Sequence, residues 1–307
     1  MTRFLAILGP TASGKSELGL ELARRLGGEI VSCDSQQVYV GMDVGTAKPT
    51  AAERAEVPHH LLDLVRPDET FHAARWAGLA RAAISDIAAR GRLPIVVGGT
   101  GLYFRALTAG FFEAPPPDAA IRARHKEEAA SLGVEALHAR LAGIDAEAAA
   151  AIGVRDLVRI SRALEIFEQT GVPITTLRRA AAPSPADAPV AHALILDPPQ
   201  TALRARIEAR AARMLDGALQ DEVRALRVAG YGTPDRPLPA LGYAQVGALL
   251  DGRCSLAEAR EAIVAATASY ARRQRTWFRK EAAAARLEAA PQAAALEGPL
   301  RAELLAS

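Results

Sequence analysis

The sequence predicts an α/β fold: a P-loop parallel sheet covered by helices on both faces, with an all-helical insertion domain. Three observations predict it. A glycine-rich loop of the form G-x(4)-G-K-S follows directly on an apolar run at the start of the chain. Further short apolar runs alternate with helical patterns, the order that builds a parallel sheet with helical crossovers. Between two proline-rich breaks, only helical periodicity is found.

Phe4 to Leu8 is a continuous apolar run that reads as a buried strand, and Leu18, Leu22 and Leu26 then recur every four residues, as one helix face requires. "EIVSCDS" (29–35) is a second strand that ends in polar residues. Residues 71 to 90 form an alanine-rich helical pattern closed by Gly91. "LPIVVGGTGLY" (93–103) is a third strand running into a glycine turn, and "HALILD" (192–197) is a fourth. The breaks "EAPPPD" (113–118) and "AAPSPADAP" (181–189) enclose a stretch without a strand pattern. The expected organisation is therefore a first part of the core at 1–113, a helical insertion at 114–189, and a second part of the core at 190–307, helical to about 290.

Of 307 residues half are apolar, and 37 Lys and Arg nearly balance 35 Asp and Glu. A formal charge of +2 implies no overall attraction to nucleic acid, so any such binding must come from local basic clusters. Cys33 and Cys254 lie far apart, which excludes a cysteine-rich zinc site and a disulfide framework. The N-terminal apolar run is too short for a signal sequence, and no stretch has the length of a membrane span. A cytoplasmic protein without a membrane partner is expected.

Gly9-Pro10-Thr11-Ala12-Ser13-Gly14-Lys15-Ser16 supplies backbone amides and a helix N-terminus for phosphate oxygens. Lys15 would neutralise phosphate charge, and the Ser16 hydroxyl is placed for Mg2+. Nucleotide binding, with ATP as cargo, is the ordinary role of such a loop, but the motif leaves the phosphate compound open. Asp34 ends the second strand on the edge where the loop lies. It could accept a proton from a nucleophile, sit behind a metal, or cap the following turn. Asp197 follows "ALIL" as a Walker B aspartate would, although "DPP" reads as a turn. His59 and His60, being adjacent, point in different directions and do not share a metal.

Three groups of arginines stand out. Arg206, Arg210 and Arg213 are spaced to share one helix face, and Arg155, Arg159 and Arg162 repeat that spacing in the insertion. "YARRQRTWFRK" (270–280) interleaves basic and aromatic residues, a mixture suited to RNA phosphates and unstacked bases, or to a solvated helix face with its aromatics packed inward.

Together these segments resemble the tRNA dimethylallyltransferase family, bacterial form, from the loop to about residue 279. The resemblance rests on "GPTASGKS" (9–16), "DSQQVYVGMDVGTAKP" (34–49), "HHLLDL" (59–64), "PIVVGGTGLYFRAL" (94–107), "RISRALEIFEQTG" (159–171), "LGY" (241–243) and "RRQRTWF" (272–278). It implies transfer of a dimethylallyl group from dimethylallyl diphosphate to N6 of the adenosine 3′ of the anticodon, in tRNAs reading codons that begin with U. Under it Asp34 is the general base, and Thr11 and Arg210 touch the diphosphate that residues 9–16 and a Ser16-bound Mg2+ hold. Asp34, Ser35, Gln36, Gln37, Thr100, Arg122, Arg159, Ile160, Ser161 and Arg162 match positions that contact tRNA, which makes the insertion an RNA clamp. The partners implied are dimethylallyl diphosphate and the tRNA anticodon stem-loop, with a monomer as the default.

Val40, Pro239, Ala244 and Ala268 stand where the family commonly carries polar or basic residues, which removes possible phosphate contacts. An ATP-dependent small-molecule kinase would use the same loop, with 119–180 as a lid, but leaves "DSQQVY" and "GGTGLY" without a role. Prenylation of free AMP or ADP would leave the basic groups at 155–162 and 272–280 unused. A non-catalytic RNA-binding protein with a nucleotide switch would leave Asp34 idle.

Overall fold

The apolar run after Thr2 forms strand β1 (Arg3–Leu8), and its side chains alternate between two cores. Phe4, Ala6 and Leu8 enter one and Leu5 and Ile7 the other, all without solvent exposure. A central strand buried on both sides needs a helical layer on each face. The computed structural model, which describes residues 2–110, 114–180, 189–233, 236–281 and 284–304, supplies both. Glu113 and 181–188, within the two proline-rich breaks, lie outside the described residues. The chain divides into two compact units, Met1–Thr108 with Asp187–Ser307, and Ala109–Ala186.

In chain order the first unit begins with β1, α1 (Lys15–Leu26), β2 (Gly28–Cys33), α2 (Ala51–Glu56), β3 (His59–His60), α3 (Ala73–Ala89), β4 (Leu93–Gly98) and α4 (Gly101–Thr108). The second unit holds α5 (Ala119–Leu132), α6 (Val134–Ile144), α7 (Ala146–Ala151), α8 (Leu157–Thr170) and α9 (Ile174–Ala180). The first unit then resumes with β5 (Val190–Leu196), α10 (Gln200–Met214), α11 (Ala218–Val228), α12 (Tyr243–Leu250), α13 (Leu256–Phe278), β6 (Ala285–Leu287) and α14 (Ala293–Leu304). No helix among the described residues is long and apolar enough to cross a membrane.

All six strands pair in parallel, in the order β3-β2-β4-β1-β5-β6. Leu18, Leu22 and Leu26 of α1 and Leu300 and Leu304 of α14 cover one face; Trp76, Ile84 and Ile87 of α3 and Phe104 of α4 cover the other. Two strands exceed the four that the sequence predicts. β3 and β6, of two and three residues, are too short to carry a readable period, and β6 interrupts a region expected to be helical. His59 and His60 form β3: His59 Nδ1 bonds the Val57 carbonyl (2.7 Å) and His60 Nε2 the Glu29 carboxylate (2.8 Å). Each ring is thus tied into the strand and its neighbours.

Because β2, β4 and β1 are neighbours and parallel, the loops that leave their C-terminal ends meet at one sheet edge. Those loops begin at Asp34, Gly99 and Gly9. Above that edge a third core joins Leu203, Ile207 and Ala211 of α10 to α11, α12, α13 and Met42. This cap belongs to the first unit, and it brings the Arg206–Arg213 face down to the loops.

The second unit is wholly helical among its described residues, closed around Leu137, Leu141, Ile160 and Leu164. Its charges are largely satisfied internally. Fully buried Glu165 takes Arg122, Arg162 (2.7 Å) and the Asp118 N–H (2.5 Å). Fully buried His125 lies between Ser161 Oγ (2.9 Å) and Glu168 (3.0 Å). The arginine trio expected on one helix face is not one. Asp156 accepts from the Arg159 N–H and starts α8 at Leu157, so Arg155 stays in the preceding turn. Arg162 turns inward to Glu165, and only Arg159 of the pair on α8 faces solvent.

Candidate active site

Residues 9–16 wrap the N-terminus of α1. Gly14 caps the helix at φ 93°, a left-handed conformation that glycine adopts without steric cost, and Ala12 is held at φ 64° beside it. Lys15 is buried and donates to the Pro10 carbonyl (3.2 Å). Burial pulls its ammonium down to about 8; the Asp34 charge opposes this shift and Arg210 adds to it. Ser16 is exposed on the first turn.

α10 turns toward this loop the arginine face that the spacing predicts. Arg206 donates to the Ser13 carbonyl (3.0 Å) and Arg210 to Thr11 Oγ1 (3.2 Å). An open cavity lies between them, lined by the loop from Ala12 to Glu17 and by Arg206, Arg210 and Arg213. Four cations and a helix N-terminus line it against a single acidic residue, Glu17, an arrangement that suits a polyanion.

A second, narrower cavity shares Arg210 and Met214 with the first. Asp34, Gln36, Thr46 and Tyr270 give it polar groups, and Ile207, Leu219, Leu241 and Ile263 give it apolar wall. Asp34 accepts from the Gln36 N–H (2.8 Å), which turns the chain into the following loop. Thr100 Oγ1 accepts from the Ser35 N–H (2.9 Å) and donates to Ser35 Oγ (3.2 Å). The Tyr270 hydroxyl meets the same two side chains; burial and the Asp34 charge push its pKa up to about 12, so it remains a protonated donor.

Gln37 is committed inside the loop: it accepts from Ser32 (2.9 Å) and donates to the carbonyls of Thr46 and Ala47. Lys48, almost wholly buried, ties the Tyr39 carbonyl (2.6 Å) to Asp43 (2.7 Å) and Asp63 (2.5 Å). Glu222 of α11 receives the N–H groups of Asp43, Val44 and Gly45 and the Tyr243 hydroxyl (2.6 Å). The whole 34–48 segment is thus held from below and above.

Against known proteins, the model described as IPP transferase matches residues 37–281, and one described as Isopentenyl transferase matches residues 2–66. The chain belongs to the IPP transferase family. A tRNA dimethylallyltransferase of Anaeromyxobacter sp. strain Fw109-5 is 57% identical, over 92% of this chain and 93% of the relative. Among solved structures, the full-length tRNA isopentenylpyrophosphate transferase of Bacillus halodurans is 36% identical with a TM-score of 0.68, covering 99% and 97% of the two chains. Its Staphylococcus epidermidis counterpart is 31% identical with a TM-score of 0.67, covering 99% of each.

Within the first unit the structure brings Gly9 to Ser16, Asp34, Ser35, Gln36, Thr100 and Arg210 to one edge. Of the second-unit residues, Ile160 is fully buried and Ser161 is turned to His125, whereas Arg122 and Arg159 keep half-exposed side chains. The basic-aromatic run at 270–280 also divides. Arg272, Arg273 and Arg279 are exposed, but Trp277 packs on the core and Phe278 is buried in it, so neither ring is free to stack on a base. Asp197 pairs with Arg275 (2.5 Å) at the end of β5. Sequence reasoning missed Glu222, whose loop partners lie more than 170 residues away, and gave Lys48 and Gln274 no role although both stand within quoted motifs.

Proposed function

We propose that this chain transfers the dimethylallyl group of dimethylallyl diphosphate to N6 of an adenosine in tRNA, the adenosine immediately 3′ of the anticodon in tRNAs that read codons beginning with U. Family membership and the names of the relatives support the reaction. One observation carries it into this molecule: a cation-lined cavity and a carboxylate-bearing cavity meet at Arg210, beside Thr11.

In this reading the diphosphate lies over residues 9–16, and Lys15, Arg210 and Thr11 stabilise the charge that grows as the allylic C–O bond breaks. The N6 lone pair attacks the allylic carbon, diphosphate leaves, and Asp34 takes the proton from the amine. The exposed Ser16 hydroxyl suits Mg2+, which takes few protein ligands and otherwise water and phosphate oxygens. No group of three acidic, His or Cys side chains among the described residues offers another metal site. Mg2+ held by Ser16 and the diphosphate would neutralise the leaving group.

The adenosine must leave its stack to reach Asp34, so base flipping is part of the reaction. Ser35, Gln36 and Thr100 line its approach; from the second unit exposed Arg159 meets the RNA, and Arg122 and Arg162, tied to buried Glu165, support it. One chain contributes all of these groups, and the protein acts as a monomer in the cytoplasm, where its tRNA is. The test incubates it with labelled dimethylallyl diphosphate, Mg2+ and either an unmodified anticodon stem-loop, AMP, or ATP with tRNA. Label in the stem-loop is expected; label in AMP, or phosphate released from ATP without prenyl transfer, would overturn the reading.

A further inference from the structure

We propose that Gln274 is a positioning residue that holds the donor and acceptor halves of the cleft in register; the inference rests on the prenyl-transfer reading. Its side chain is 6% exposed, and both of its polar atoms are used. Oε1 accepts from the Thr11 N–H (2.8 Å), and Nε2 donates to the Gly99 carbonyl (2.9 Å). A single amide therefore bridges the loops that leave β1 and β4. The approach is close enough that any Cβ at position 99 would run into that amide, so the bridge needs glycine there.

Each end of the bridge leads to a reacting side. Thr11, oriented through its own N–H, presents Oγ1 to Arg210 (3.2 Å) on the diphosphate side. Gly99 precedes Thr100, whose N–H donates to the Cys33 carbonyl (3.1 Å) and whose Oγ1 accepts from Ser35 (2.9 Å), the residue after Asp34. The helix that carries Gln274 is itself fixed. Arg275 pairs with Asp197 at the end of β5 (2.5 Å), the Trp277 indole lies against Gly101, and Phe278 is in the sheet core. Gln274 thus has a rigid mount, and neither of its loops moves without the other. In-line displacement needs nucleophile, allylic carbon and leaving oxygen aligned, and misplacement by about 1 Å costs on the order of 100-fold.

Two variants test this. Gln274→Leu removes both bonds; kcat on the stem-loop should fall on the order of 100-fold. Inorganic diphosphate should still bind within about threefold of native, the worth of a weak hydrogen bond, because Lys15, Arg210 and the loop amides remain. Gln274→Glu keeps an acceptor for Thr11 but sets a carboxylate against the Gly99 carbonyl. Burial raises the pKa of such a carboxyl, and its protonated form donates as the amide does. The ratio of its kcat to the native value should therefore rise as pH is lowered from about 8.5 to about 6. Native kcat in both variants, or a ratio that stays flat with pH, would overturn the proposal. So would a loss of kcat matched by equal losses of diphosphate affinity and melting temperature. If the native protein itself fails to prenylate the stem-loop, it is the prenyl-transfer reading that falls.

Discussion

Asp34 and Lys15 face each other electrically across the junction of two cavities, and each gives a test. An aromatic exocyclic amine is a weak nucleophile, so Asp34→Asn, which keeps shape and loses the base, should lower turnover about 10²–10⁴-fold. Diphosphate affinity should hold, as a titration with inorganic diphosphate would report. Lys15 carries a pH signature. In the protein alone its ammonium titrates near 8, against 10.5 for an unburied lysine. Between those values the unfolded chain binds the extra proton, so this group's contribution to stability rises with pH. Ligand affinity runs the other way: a bound diphosphate favours the ammonium, and above about pH 8 binding must draw in a proton. Calorimetry in buffers of different ionisation enthalpy should show that uptake in the native protein and none in Lys15→Arg.

Among the elements, the segment from Asp34 to Lys48 forms no regular helix or strand of its own, yet it makes part of the cavity that holds Asp34. Side chains from elsewhere supply the order that its backbone lacks. Glu222 takes three successive N–H groups and a tyrosine hydroxyl, a concave nest filled by a carboxylate. Removing it leaves those donors without a partner, at about 1–3 kcal/mol for a buried one. Glu222→Ala should therefore lose about 2 kcal/mol or more in denaturant unfolding and raise the KM for the stem-loop. The KM for dimethylallyl diphosphate should move less, because α10 and the 9–16 loop do not rest on Glu222.

Across the molecule, charge is arranged locally rather than in bulk. Between 109 and 186, nine Arg or Lys meet ten Asp or Glu, so the second unit carries no net positive field. Its arginines act by position. Arg159 is exposed and 3.8 Å from Asp156, whereas Arg122 is bound to buried Glu165. In stem-loop binding measured over a range of salt, Arg159→Ala should lower the salt slope by about one unit. Arg122→Ala should mainly destabilise the second unit, because it strips a partner from a buried carboxylate.

Much of this was legible without coordinates. Strand β1, the loop after it and the leucines of α1 follow from local pattern, since burial on both sheet faces and a helix period are written in neighbouring residues. The position of Asp34 at a strand end followed from the same local logic. β3 and β6 were not legible, being too short for a period and defined only by their partners. Nor was the division of the arginines, because whether a guanidinium meets solvent, a buried glutamate or the loop depends on what packs opposite it. Trp277 and Phe278, whose pattern suited either RNA or inward packing, are held by the core. The residue types and their spacing set the chemistry available, a phosphate cradle and a carboxylate on one sheet edge. Contacts between distant segments, Glu222 under residues 43–45 and Gln274 between Thr11 and Gly99, decided how that chemistry is aimed, because hydrogen bonds between segments so far apart leave no periodic trace in the chain.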